Sequence, residues 1–227
     1  MTTLHLTAYL LLTATALFAT TQHPTDLATQ SIANTDSVIG RVVTIVKSKA
    51  PWYAADFLVD RAFRKAIPTY KKLDGLRFKA FSSIKTSSGK FVGGIYLWDS
   101  DAQARRWFTP DWFADIERKR GHKPTVDYFP LINAQSFVAS DSDYRKSGGV
   151  TIFIHGIDSA LTQQCLTKQP GLLRTYIVAE ANQQSGTLLL FSTVGYANTF
   201  LAEHPGRQSD WFETSVLLDN TQNSERP

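Results

Sequence analysis

Apolar and polar residues alternate through Gly-Leu-Arg-Phe-Lys-Ala-Phe from Gly75, then a polar Thr-Ser-Ser-Gly turn, then Gly-Gly-Ile-Tyr-Leu-Trp to Trp98. The pattern predicts two strands, Leu76 to Ser83 and Phe91 to Trp98, joined as a hairpin with Gly89 in the turn. A fainter copy runs from Gly171 to Phe191, with Pro170-Gly171-Leu172 standing where Asp74-Gly75-Leu76 stands and Gly186 falling on Gly93. The elements around each hairpin also correspond, so the chain is read as a tandem repeat.

In the first copy, the β-branched run Arg41 to Val46 predicts a buried strand. Val59, Phe63, Ile67 and Tyr70 then recur at helical spacing, and Pro68 is expected to bend or restart that helix. After the hairpin, Ser100 and Gln103 form a capping box. Thr109 and Pro110 stop this helix and start another, which ends in Arg118, Lys119, Arg120 and Gly121. Val126 to Ile132 closes the unit as a strand, giving the order β-α-β-β-α-β. In the second copy the same order reads Val150 to Ile157, a short helix Leu161 to Lys168, the hairpin, a helix Tyr196 to Ala202 and a strand Phe212 to Leu218. The second copy is abbreviated in its first helix.

A β-α-β-β-α-β unit lays both helices on one face of a four-stranded sheet and leaves an apolar face that needs a partner. The fold class expected is α+β: two ferredoxin-like repeats, over 40–140 and 148–219, packed sheet to sheet as an intrachain dimeric α+β barrel. On the Gly93–Trp98 strand, Gly94, Tyr96 and Trp98 are assigned to the space between the sheets and Gly93, Ile95 and Leu97 to the helices.

Ahead of the first repeat, Leu4 to Ala19 is uncharged and mostly apolar, with the length of a secretory h-region, although no Lys or Arg precedes it. The expectation is a signal peptide over 1–20, a polar linker over 21–39, a disordered tail over 220–227, and a secreted or periplasmic protein without stable membrane association after processing.

Composition narrows the chemistry. The single cysteine, Cys165, excludes an intrachain disulfide framework, and no Cys/His cluster, dinucleotide fingerprint or P-loop occurs in the 227 residues. Neither a metal nor a cofactor is expected. Residues 40–147 carry 20 basic and 11 acidic side chains, a net +9, and residues 148–227 carry 4 and 7, a net −3. Opposite signs suit two units docking within one chain, as a monomer or a weak homodimer. The basic groups fall on helix faces and helix ends without a recognised nucleic-acid motif, so no nucleic-acid partner is expected.

His155 is the histidine predicted to lie in a strand, sharing a face with Thr151 and Phe153. It reads either as a general base or as a hydrogen-bonded structural histidine. Arg77, Lys79 and Phe81 share another strand face; the two cations would steady an oxyanion, or else sit on an exposed strand end. Phe81, Tyr96, Trp98 and Tyr128 would wall a ring-shaped ligand, while Trp107 and Trp112 read as helix-to-sheet packing.

The runs Gly-Leu-Arg-Phe-Lys-Ala-Phe, Gly-Gly-Ile-Tyr-Leu-Trp-Asp-Ser and Trp-Phe-Thr-Pro-Asp-Trp resemble the YdhR-type monooxygenases of the dimeric α+β barrel superfamily, well over Gly40 to Phe137 and in outline beyond. The resemblance implies a barrel of paired ferredoxin-like units and, by superfamily analogy, oxidation of a small aromatic, quinol or enol substrate without flavin or metal. It brings no agreed catalytic residue set. On this reading the chain is a cofactor-independent monooxygenase, with His155, Lys79 and Arg77 catalytic and the substrate between the two sheets. The alternatives are a non-catalytic binder of a small hydrophobic ligand or haem, and a polyketide-type cyclase or isomerase.

Overall fold

The computed structural model describes residues 41–51, 53–86, 89–137, 149–156, 169–181 and 185–220. The expected signal peptide and linker, the short helix Leu161 to Lys168 and residues 221–227 lie outside the described residues. Asn220, first residue of the expected tail, is buried, and its Nδ2 donates to the Leu76 carbonyl at 3.0 Å.

The elements run β1 (Val42–Lys49), α1 (Asp56–Tyr70), β2 (Leu76–Thr86), β3 (Gly89–Trp98), α2 (Asp101–Trp107), α3 (Pro110–Arg120), β4 (Thr125–Ser136), β5 (Gly149–Ile154), β6 (Leu172–Ala179), β7 (Ser185–Phe191), α4 (Val194–Glu203) and β8 (Ser209–Asp219). The caps form as the sequence requires: Ser100 Oγ accepts from the Gln103 N–H and Thr109 Oγ1 from the Trp112 N–H, each at 3.2 Å, and Gly121 leaves α3 with φ 73°. Helix α1 runs unbroken through Pro68. The proline sits in the last turn, where its missing N–H removes one bond from a ladder already ending.

All eight strands pair antiparallel into one closed barrel, in the order β1-β3-β2-β8-β5-β7-β6-β4. Each group of four has its first strand central and its second and fourth at the edges, and the groups meet edge to edge at β2–β8 and β4–β6. The expected stacking of two separate sheets is therefore a continuous wall.

Burial on both faces explains the near-continuous apolar runs of β1, β3, β5 and β7. Val43, Ile45, Ile95 and Leu97 join Phe78, Ala80, Phe153, Leu188, Leu190 and Phe212 inside the barrel. Val42, Val46, Phe81, Tyr96 and Trp98 instead pack outward under α1, α2 and Phe108, against Val59, Phe63 and Ala104. This reverses the face assignment made for β3: the aromatic set meets the helices and the small aliphatic set meets the barrel axis. The physical reason is that both faces of the barrel wall are buried and both take rings, Phe78, Phe153 and Phe212 inside and Phe81, Tyr96 and Trp98 outside, so aromatic size does not mark the interior.

The two groups of four strands match in detail. Gly75 and Gly171 both have positive φ, 74° and 70°, and an added Cβ would strike the Gln103 side chain at 2.3 Å in one and the Tyr196 ring at 2.1 Å in the other. Register slips between Leu76 and Phe78 and, correspondingly, between Leu172 and Arg174. Beside those slips the Arg77 carbonyl accepts from the Asn220 N–H at 2.8 Å, and the Leu173 carbonyl from the Phe137 N–H at 3.0 Å.

Candidate functional site

A cavity of about 440 Å³ opens between the outer face of β1, β2 and β3 and the helices α1 and α3. Its floor is Val46, Ser48, Phe81, Val92, Gly93 and Tyr96, and its walls include Phe63, Ala66 and Tyr70 of α1 and Trp112, Ile116, Lys119 and Arg120 of α3. Lys79 also lines it, with a relative exposure of only 2%. The cavity lies on the helix side of the sheet, where the expectation was a ligand between two sheets.

Lys79 reaches the cavity because the strand alternation places it outward with Phe81. Its Nζ donates to Tyr96 Oη at 2.7 Å. It also lies 3.1 Å from the centre of the Tyr70 ring, 3.9 Å from that of Phe81 and 4.2 Å from that of Tyr96. Among the described residues no carboxylate lines the cavity and Lys79 makes no ion pair.

Two effects compete over its charge. The aromatic faces favour an ammonium by about 2 kcal/mol when desolvated, while withdrawing an ion from water costs several kcal/mol. Burial wins, and holds the Lys79 amine well below the usual lysine range. Burial also pushes the Tyr96 phenol well above its ordinary value, reinforced by the neighbouring Tyr70 phenol. Tyr70 is raised for the same reason, its oxygen 3.5 Å from that of Tyr96. Arg120 is pulled down by burial against the opposing pull of the two phenols. It stays a guanidinium, since no protein environment deprotonates arginine. The resulting group is an amine that burial biases toward its uncharged form, two protonated phenols and the Arg120 guanidinium, with Lys119 also on the wall of the chamber.

Of the seven residues singled out from the sequence, Lys79, Phe81 and Tyr96 come together here. The other four do not line the cavity. Arg77 sits at the register slip, which breaks the shared face expected for it, and its Nε donates to Asp99 Oδ1 at 2.6 Å. Trp98 is fully buried beside the cavity, its Nε1 donating to Thr44 Oγ1 at 3.1 Å. Tyr128 lies under the Arg105 guanidinium, 4.3 Å from ring centre to Cζ.

His155 stands just beyond β5 on the barrel-interior face, at the end of the barrel. Its Nδ1 lies 2.9 Å from Glu180 Oε2 and its Nε2 3.9 Å from Asp210 Oδ2, a carboxylate that Lys47 also pairs with at 3.0 Å. The sheet wall separates this cluster from the cavity, so His155 and Lys79 do not act on one ligand.

Tyr70, Trp112 and Arg120 were not found from the sequence as cavity residues. Tyr70 was visible only as part of the α1 apolar stripe and Arg120 only as a dipole-complementing helix end. A phenol ending an otherwise wholly apolar stripe was the available signal.

No protein-family model matches the chain, and no curated protein matches it. Solved structures do. One, described as a "putative monooxygenase" from Fusobacterium nucleatum, is similar over 79% of this chain and 94% of its own, with a TM-score of 0.55 and 5% identity. Another of the same description, from Lactobacillus acidophilus, covers 80% of this chain and 97% of its own, with a TM-score of 0.54 and 9% identity. At such identities the likeness is one of fold: this is a mixed α+β chain whose described strands close an antiparallel barrel, and it shares its fold with those neighbours.

Proposed function

We propose that the helix-side cavity binds a small aromatic, quinol or enol compound and that the protein oxygenates it, with Lys79 as the base. The observation that carries this reading is the buried, unpaired Lys79 amine 2.7 Å from Tyr96 Oη in an apolar chamber. A base whose pKa is brought toward the working pH, beside hydrogen-bonding groups and shielded from water, suits abstraction of a proton from an acidic carbon or phenol.

Lys79 takes that proton, and Arg120 with Tyr96 and Tyr70 steadies the anion left behind. The anion gives one electron to dioxygen, the radical pair joins as a carbon-bound peroxide, and loss of water turns a CH₂ group into a carbonyl. One O₂ is consumed and one water released per turnover. Phe81, Phe63 and Trp112 supply ring faces against which a planar substrate is oriented. The proton-abstracting role expected of His155 passes to Lys79, because only Lys79 reaches the cavity.

We infer further that the chain is a tandem pair of ferredoxin-like repeats, an intrachain counterpart of a dimeric α+β barrel of YdhR type, and that it is exported. The matched glycines, register slips and closing hydrogen bonds support the first part.

Oxygen uptake with anthrone and a panel of quinols tests the reaction. Wild-type protein is expected to consume one O₂ per carbonyl formed, and Lys79→Met to lose at least about 100-fold in rate, the lower range for a general base. Uptake equal to buffer, or unchanged in Lys79→Met, sinks the reading. Retained ligand binding without uptake would instead favour a carrier of small hydrophobic molecules.

A further inference from the structure

Lys79 differs from Lys47, Lys90 and Lys119 in its surroundings. Lys47, Lys90 and Lys119 each pair with an aspartate, whereas Lys79 contacts one hydroxyl and three ring faces on the wall of a chamber large enough for a small organic molecule. Burial favours the uncharged form of this amine, and a primary amine so placed is a nucleophile as well as a base. The phenol beside it supplies what amine addition to a carbonyl also needs, a proton donor within reach of the oxygen. The chamber is apolar and among the described residues lacks carboxylates, which disfavours competing water and leaves room for a neutral ligand.

We propose that this cavity captures aldehydes and ketones covalently, Lys79 forming an imine with the carbonyl carbon. The Nζ lone pair attacks that carbon, a C–N bond forms, and the C=O π pair moves to oxygen, which takes a proton from Tyr96 Oη. The carbinolamine nitrogen gives up its proton to the phenolate, directly or through Tyr70, restoring the Tyr96 hydroxyl. Its lone pair then expels the hydroxyl, which leaves as water after taking a proton from Tyr96, and the resulting iminium returns its N–H proton to the Tyr96 oxygen. The net change is carbonyl plus amine to imine plus one water, with nothing oxidised or reduced. Aromatic carbonyl compounds fit best, since Phe63, Phe81 and Trp112 present ring surface around the amine. The inference shares the uncharged Lys79 amine with the proposed oxygenation but requires no reaction with oxygen.

The test is reductive trapping on the full chain. Protein is incubated anaerobically with 2-naphthaldehyde and cyanoborohydride at pH 7, sampled over time, and the modified lysines are located by peptide mass mapping. The adduct at Lys79 is expected to form at least tenfold faster than at the exposed Lys71 and Lys72. Its rate should rise less steeply between pH 7 and 9 than the rate at exposed amines, which gain reactivity with each unit. Lys79→Met should lose the fast adduct and keep the slow ones. Labelling confined to exposed lysines, or no faster at Lys79, overturns the proposal. Fast trapping at Lys79 without oxygen uptake leaves this inference standing and removes the oxygenation reading; uptake without trapping does the reverse.

Discussion

The Lys79 Nζ lies 3.1 Å from the centre of the Tyr70 ring, so a residue of β2 and a residue of α1 meet across the layer that separates sheet from helix. This contact joins the folding of the first helix to the chemistry of the cavity. It also fixes the Nζ where the Tyr96 hydroxyl is its hydrogen-bond partner.

Lys79→Met should leave the fold intact and raise its stability at neutral pH, since a thioether of similar length needs no desolvation. The pH dependence follows from sign. The folded pKa of Lys79 is depressed, so the stability it allows is fully present above its unfolded pKa near 10.5 and declines as pH falls, when the unfolded chain gains a proton that the folded chain refuses. The raised phenols of Tyr70 and Tyr96 add a slope only above about pH 9, where the unfolded chain begins to ionise its tyrosines, and they do so in both proteins. Denaturation between pH 7 and 10 should therefore show wild-type stability rising more steeply than that of Lys79→Met; parallel curves would mean a charged Lys79.

Tyr96→Phe removes the hydrogen-bond partner of a buried amine and should cost about 1–3 kcal/mol in chemical denaturation. The same change withdraws the proton donor nearest the amine. A fall in oxygen uptake with little change in ligand affinity would match that role, while an unchanged rate would exclude Tyr96 from the chemistry.

His155→Ala tests the separation of the barrel mouth from the cavity. The ring is partly exposed and Lys47 still neutralises Asp210 in the variant, so the loss of stability should stay within about 1 kcal/mol. Oxygen uptake is expected to remain within about twofold of wild type. A hundredfold loss would return the base to His155.

Ligand binding should saturate at one molecule per chain. Register places Thr175 and Leu189 of β6 and β7 where Lys79 and Tyr96 stand in β2 and β3, so the second group of strands lacks both the amine and the phenol. Titration calorimetry with a binding aromatic ligand should give a stoichiometry near one for wild type. A value of two would show that the second group binds as well.

The order of the described elements, the helix caps and the correspondence of Gly75 with Gly171 were legible because each rests on local chemistry: a hydroxyl before a helix, a positive φ, an alternation of period two. Which face of β3 met the helices was not, since both faces are buried and alternation marks two faces without ranking them. That ambiguity moved Tyr96 from the barrel axis to the cavity and left His155 on the opposite side of the wall. Arg77 left its expected partners through a one-residue register slip, which period-two reasoning does not foresee. Tyr70 precedes Lys79 by nine residues but sits on another element, Arg120 comes from a helix much further along the chain, and only the crossing of those helices over the sheet reveals that they share a chamber.

The seams β2–β8 and β4–β6 lie within one polypeptide, which makes closing the barrel a unimolecular event, indifferent to dilution. Partner strands held at the effective concentration of a tether keep their alignment even when one side drifts in sequence. The Thr175–Leu189 side thus completes the wall on which Lys79 stands without carrying the amine or the phenol itself.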